Sequence, residues 1–106
     1  MAQTRIVLPK TAKKGEIIEI KSLIQHAMET GHRRDNMGLA IPRHIIKSYR
    51  VTYAGEEVFR AELFPGVAAN PYFSFTTVAT VSGDVVFTWE DDRGTVVTET
   101  VRLTVT

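Results

Sequence analysis

Alternation governs this chain. In "EIIEIKSLI", Ile18, Ile20, Ser22 and Ile24 fall on one side of an extended backbone. Ile17, Glu19, Lys21 and Leu23 fall on the other. The same period recurs with Tyr49, Val51 and Tyr53, with Phe59, Ala61 and Leu63, with Val85, Phe87 and Trp89, and with Val101, Leu103 and Val105. A period of two is that of a β-strand, whose successive side chains point to opposite faces. Each run therefore has one face for a core and one for water, and a slip of one residue would invert it. "TRIVL" and "YFSFTTVATV" add two more runs rich in β-branched and aromatic residues.

Turn chemistry separates the runs. Lys14-Gly15, Ala54-Gly55, Pro65-Gly66, Asn70-Pro71, Ser82-Gly83-Asp84 and the stretch Asp91 to Gly94 each supply a residue that tolerates positive φ or fixes it. No segment of useful length has a helical period. The pattern predicts an all-β fold, an immunoglobulin-like antiparallel β-sandwich of about seven strands. The length of 106 residues fits a single domain spanning 1–106. Trp89, the only tryptophan, shares a face with Val85 and Phe87 and is expected in the core.

Composition excludes several functions. Thirteen basic residues against twelve acidic ones leave a net charge of +1, too little to draw nucleic acid by bulk electrostatics. No stretch reaches the roughly 20 apolar residues of a membrane span, and "MAQTRIVLPKTAKKGE" has no secretory apolar region, so no membrane insertion is expected. Alone, these features point to the cytoplasm. There is no cysteine, which removes a thiol nucleophile, a disulfide framework and any thiolate-ligated metal.

One long irregular segment, about Gln25 to Pro42, interrupts the strands and contains "HAMETGHRRD". Loops of this length are more often functional than mere connectors. His26 and His32 lack the i, i+4 spacing of a helical zinc pair, His44 lies beyond the loop, and Arg33 and Arg34 oppose a dication. No metal ligand and no cofactor is assigned on this basis. Superoxide reductase domains are immunoglobulin-like and hold iron with several histidines and one cysteine; this chain lacks that ligand set. No G-x-S-x-G occurs, and Thr30 and Ser48 have no evident base. The loop remains either a solvated connector or a protein-binding surface, with Met28 and the arginines as contacts. "WEDDRG" reads as a hairpin turn rather than a calcium loop.

Four segments, "KGEIIEIKSLIQHAMETGHRRD", "IPRHII", "NPYFSF" and "FTWEDDRG", together resemble the SoxZ family of bacterial sulfur-oxidation proteins over nearly the whole length. That family's loop reads H-P-M-E-T/S-G followed by basic residues and an Asp; here Ala27 stands where proline is usual. The resemblance implies a non-catalytic subunit of a sulfur-carrier heterodimer. Its partner, a SoxY-type subunit, carries sulfur intermediates on a cysteine near its C-terminus and presents them to other Sox enzymes. It also implies a periplasmic address, reached on the partner's twin-arginine signal. The runner-up reading is a free-standing, histidine-containing metal-binding or redox sandwich. On the carrier reading, His26, Met28, Glu29, Arg33, Arg34, Asp35 and Tyr72 are the candidate partner contacts. Arg33 and Arg34 could also hold sulfonate-ended adducts by charge-assisted hydrogen bonds. Ile17, Leu23, Val58, Phe64, Val86 and Val96 lie on expected outward faces and form an interface if they cluster, which could make the isolated chain self-associate.

Overall fold

The computed structural model describes residues 3–106, which form eight strands and no helix. These are β1 (Thr4–Val7), β2 (Thr11–Ala12), β3 (Ile17–Ile24), β4 (Ile46–Tyr53), β5 (Glu56–Glu62), β6 (Tyr72–Val78), β7 (Gly83–Asp91) and β8 (Val96–Val105). One sheet has the order β1-β3-β6 and the other β2-β8-β7-β4-β5. The two sheets pack as an immunoglobulin-like sandwich.

The alternation decides which faces meet. Ile18, Ile20, Ser22 and Ile24 of β3 are all buried, while Ile17 is 70% exposed. Tyr49, Val51, Val85, Phe87, Trp89 and Leu103 are fully buried from the larger sheet. Each such side chain contributes about 1.5–3 kcal/mol of burial. Aromatic rings tie the layers: Tyr49 stacks on Phe73 of the opposite sheet at 4.7 Å, and Phe59 stacks on Phe75 at 4.6 Å. Tyr53 reaches out of β4 to the turn after β6, where its hydroxyl oxygen accepts the amides of Thr80 and Val81, each at 3.1 Å.

The count is eight strands rather than about seven, and one pairing is parallel. The addition is β2, two residues that run parallel to β8. Lys10 and Ala12 carbonyls accept the Thr104 and Thr106 amides at 2.9 and 3.0 Å. Two residues are too short to show a period, so only the tertiary pairing makes them a strand. The outward apolar residues do not gather on one sheet. Ile17 and Leu23 lie on the smaller sheet, Val86 and Val96 on the larger, and Phe64 beyond the end of β5.

Candidate functional site

The chain leaves β3 at Ile24 and re-enters a sheet at Ile46. The segment between them is tied down at its base. The His26 amide donates to Oδ1 of Asn70 at 2.9 Å, and the Asn70 amide donates to the His26 carbonyl at 2.7 Å. Met28 follows in the left-handed region, φ 54°, and is 4% exposed. Its sulfur accepts the Ile46 amide at 3.2 Å, and its own amide donates to Nδ1 of His26 at 3.0 Å. Met28 is therefore a core anchor under the loop. Its burial leaves no apolar surface for a partner, which corrects its reading as a contact.

Beyond Met28 the loop is an ordered arm. Glu29 and His44 exchange backbone hydrogen bonds at 2.8 and 2.9 Å, and the Ile41 amide donates to the Arg33 carbonyl at 2.8 Å. Arg33 grips Glu29 with both Nε and Nη2, each at 2.9 Å. That contact holds the Glu29 carboxyl below its usual range. Arg34 donates to the Gly38 carbonyl at 2.9 Å. At the tip, Oδ1 of Asp35 accepts the amides of Met37 and Leu39 at 2.9 and 3.0 Å, closing a tight turn. The tip lifts two apolar side chains into solvent, Met37 at 83% and Leu39 at 65% exposure. Sequence reasoning passed over both. The available signal was apolar residues inside the otherwise polar "DNMGL".

Of the residues read as contacts, Glu29, Arg33, Arg34 and Asp35 are brought together on this arm. Tyr72 is exposed on the outer face of the smaller sheet, where it pairs with Leu23. His26 is half-buried and faces elsewhere. Its ring meets that of His44 edge-on, centroids 4.6 Å apart. Nε2 of His44 contacts Oδ2 of Asp91 at 2.9 Å. The other Asp91 oxygen accepts the amides of Arg93 and Thr95 at 2.9 and 2.8 Å, building the β7–β8 hairpin turn. The neighbouring Asp92 accepts Nε of Arg43 at 3.1 Å and the Ile45 amide at 3.2 Å. "WEDDRG" is thus a turn, as expected, and it also docks the arm's returning segment at Arg43 to Ile45.

Burial, then the nearby His44, lowers the pKa of His26. Burial pushes Asp91 up, but the bonds from His44 and the Thr95 and Arg93 amides outweigh it and hold the carboxyl below its usual range. His32 is exposed and takes no part in this cluster. The ligand set described above for superoxide reductases is not assembled: the chain has no cysteine, and only two of its three histidines converge. Sequence reasoning weighed His26 and His44 apart from Asp91, which entered only as part of a calcium reading of the turn; it lies 47 residues from His44 and meets it only through the sandwich.

Fold and arm define a small immunoglobulin-like sandwich domain. Solved structures share that fold. A superoxide reductase (neelaredoxin) from Ignicoccus hospitalis superposes with a TM-score of 0.75 at 16% identity, covering 97% of this chain and 80% of that one. The sulfur carrier protein SoxY from Chlorobium limicola f thiosulfatophilum gives a TM-score of 0.70 at 11% identity, covering 97% and 78%. A putative superoxide reductase from Thermotoga maritima gives 0.66 at 18%, covering 97% and 85%. Identities this low establish the fold alone. No curated protein matches the chain in sequence. Residues 5–102 match the family described as sulphur oxidation protein SoxZ, and the chain belongs to that family.

Proposed function

We propose that this chain is the non-catalytic subunit of a periplasmic sulfur-carrier heterodimer. It acts as one domain and supports a SoxY-type partner, whose C-terminal cysteine carries the covalent sulfur intermediates of thiosulfate oxidation. Other Sox enzymes meet the complex transiently. The observation that carries this reading is the family match over residues 5–102 in a chain with no cysteine. Without a thiol it cannot hold a sulfane or thiosulfonate itself. Export on the partner's twin-arginine signal accounts for its periplasmic address.

The arm is the contact surface on this reading. Glu29, Arg33, Arg34 and Asp35 form its polar flank, Met37 and Leu39 its apolar tip, and Tyr72 an aromatic contact on the adjacent sheet face. An arm fixed by its own hydrogen bonds loses little freedom on docking, which favours affinity. His26 contributes beneath the surface, by holding the base of the loop.

Native mass spectrometry of the protein purified from its own periplasm tests this. The expected result is a one-to-one complex whose partner shows sulfur-sized mass adducts on a C-terminal cysteine peptide. A lone chain, or a partner without a reactive cysteine, would remove the reading.

A further inference from the structure

His26, His44 and Asp91 bring one ligating atom each to within 4.8 Å of one another. We propose that these three side chains form a binding site for a divalent transition-metal ion of the zinc type. Two imidazoles and one carboxylate suit such an ion, whereas calcium and magnesium prefer all-oxygen shells. A tetrahedral ion with bonds of roughly 2.0–2.1 Å holds its ligands about 3.3 Å apart. The His44–Asp91 edge already stands at 2.9 Å, so the ion takes the place of the proton those two atoms share.

The surroundings favour a ligand. Oδ1 of Asp91 is fixed by the Arg93 and Thr95 amides, which leaves Oδ2 to face His44. Hydrogen bonds of this kind orient metal-binding carboxylates. Nε2 of His26 is sealed from solvent and has no hydrogen-bond partner among the described residues. A buried polar atom left in that state calls for a partner. Two nearby arginines are neutralised, Arg43 by Asp92 and Arg33 by Glu29, while Arg93 is the cation whose field reaches His26 and works against a bound ion. The three residues also line a cavity of about 410 Å³, together with Gln25, Ala27, Glu29, Thr95 and Val97.

Loading the site has a specific consequence. Nδ1 of His26 accepts the Met28 amide, so the neutral ring keeps its proton on Nε2. Ligation through Nε2 moves that proton to Nδ1 and breaks the Met28 bond. The Met28 amide therefore reports occupancy.

The test uses the full chain, stripped with a chelator and titrated with zinc by calorimetry, and with cobalt(II) followed by visible absorption. One zinc per chain is expected, with loss of the Met28 amide's bonded position in ¹H–¹⁵N spectra. His26→Gln, His44→Gln and Asp91→Asn should each weaken zinc at least tenfold, and His32→Gln should not. Asp91→Asn keeps an oxygen for the turn amides, and circular dichroism of each variant checks folding. No saturable binding, equal loss in His32→Gln, or an unchanged affinity in His26→Gln would each overturn the site. None of these readouts needs the partner subunit, so they are independent of the carrier reading.

Discussion

Ser22 of β3 and Tyr49 of β4 share a buried hydroxyl–hydroxyl hydrogen bond that crosses from the three-stranded sheet to the five-stranded one. Both residues are essentially inaccessible to solvent. Ser22 is thus the polar member of an otherwise apolar face, and Tyr49 is its partner. Removing either hydroxyl leaves the other buried and unpaired, at a cost of about 1–3 kcal/mol. Ser22→Ala and Tyr49→Phe should each lose stability in that range. The double variant should lose less than the sum, because it buries no orphan. Urea denaturation of the four proteins measures the cycle, and strict additivity would show that the bond contributes nothing.

The same tyrosine makes the fold's stability depend on alkaline pH. Burial raises its pKa from the usual 10 to about 12, against a smaller lowering by the Ser22 hydrogen bond. Between those values the unfolded chain has released a proton that the folded chain keeps. Stability therefore falls as pH rises from about 10 to 12, by about 1.4 kcal/mol per pH unit when this group alone is considered. Tyr49→Phe should flatten that slope. Stability curves collected from pH 9 to 11.5 check it, with the unshifted slope in the variant as the contrary outcome.

The β-strands were legible because their signal is local. The buried face of β3 is Ile18, Ile20, Ser22 and Ile24, as the period of two predicts. What was hidden depends on residues far apart in sequence. β2 has no period of its own and exists only through β8. Met28 reads as an exposed loop residue because nothing nearby shows that the Ile46 amide waits for its sulfur. His44 and Asp91 meet only once β4 and β7 are paired. The ordered arm was hidden for a related reason: its cross-links run through Asp35, Glu29 and backbone carbonyls that any polar loop contains.

Two glycines of the arm separate strain from crowding. Gly31 and Gly38 both sit at positive φ, 89° and 78°. A Cβ on Gly31 would stand 3.3 Å from Cβ of Arg43, whereas one on Gly38 would meet nothing within 4 Å. Gly38→Ala should cost only the left-handed penalty of about 1–2 kcal/mol, confined to the tip. Gly31→Ala should cost more, because the arm's two strands must part. Hydrogen exchange of the Glu29 and His44 amides reads this directly. Equal protection in the two variants would mean the 3.3 Å contact is absorbed without movement.

Asp35 decides how rigid the tip is. Asp35→Ala frees the amides of Met37 and Leu39 but removes no buried group, so global stability should move by about 0.5 kcal/mol or less. On the carrier reading, the heterodimer should weaken by roughly tenfold, chiefly through faster dissociation, as ordering of the tip is then charged to binding. Surface plasmon resonance against the cysteine-bearing partner tests it. An unchanged dissociation rate would take the tip out of the interface.

Arg33 and Arg34 differ in how free their charge is. Arg33 is committed to Glu29 through two parallel bonds, while Arg34 spends one donor on a neutral carbonyl and keeps its net charge. If the arm steers anionic, sulfonate-ended adducts or the enzymes that meet them, Arg34 carries most of the effect. Arg34→Glu should then lower turnover of the reconstituted Sox system several-fold at low salt, and the loss should shrink as ionic strength rises toward about 0.15 M and the Debye length falls to about 8 Å. Arg33→Glu places a carboxylate against Glu29 and so also loosens the arm; its defect should persist in salt. Arg34→Glu should still form the heterodimer by gel filtration, whereas Arg33→Glu should also weaken it. Turnover equal to the unmodified protein in Arg34→Glu, with the complex intact, would reduce Arg34 to solvation and leave the arm's work to its apolar tip.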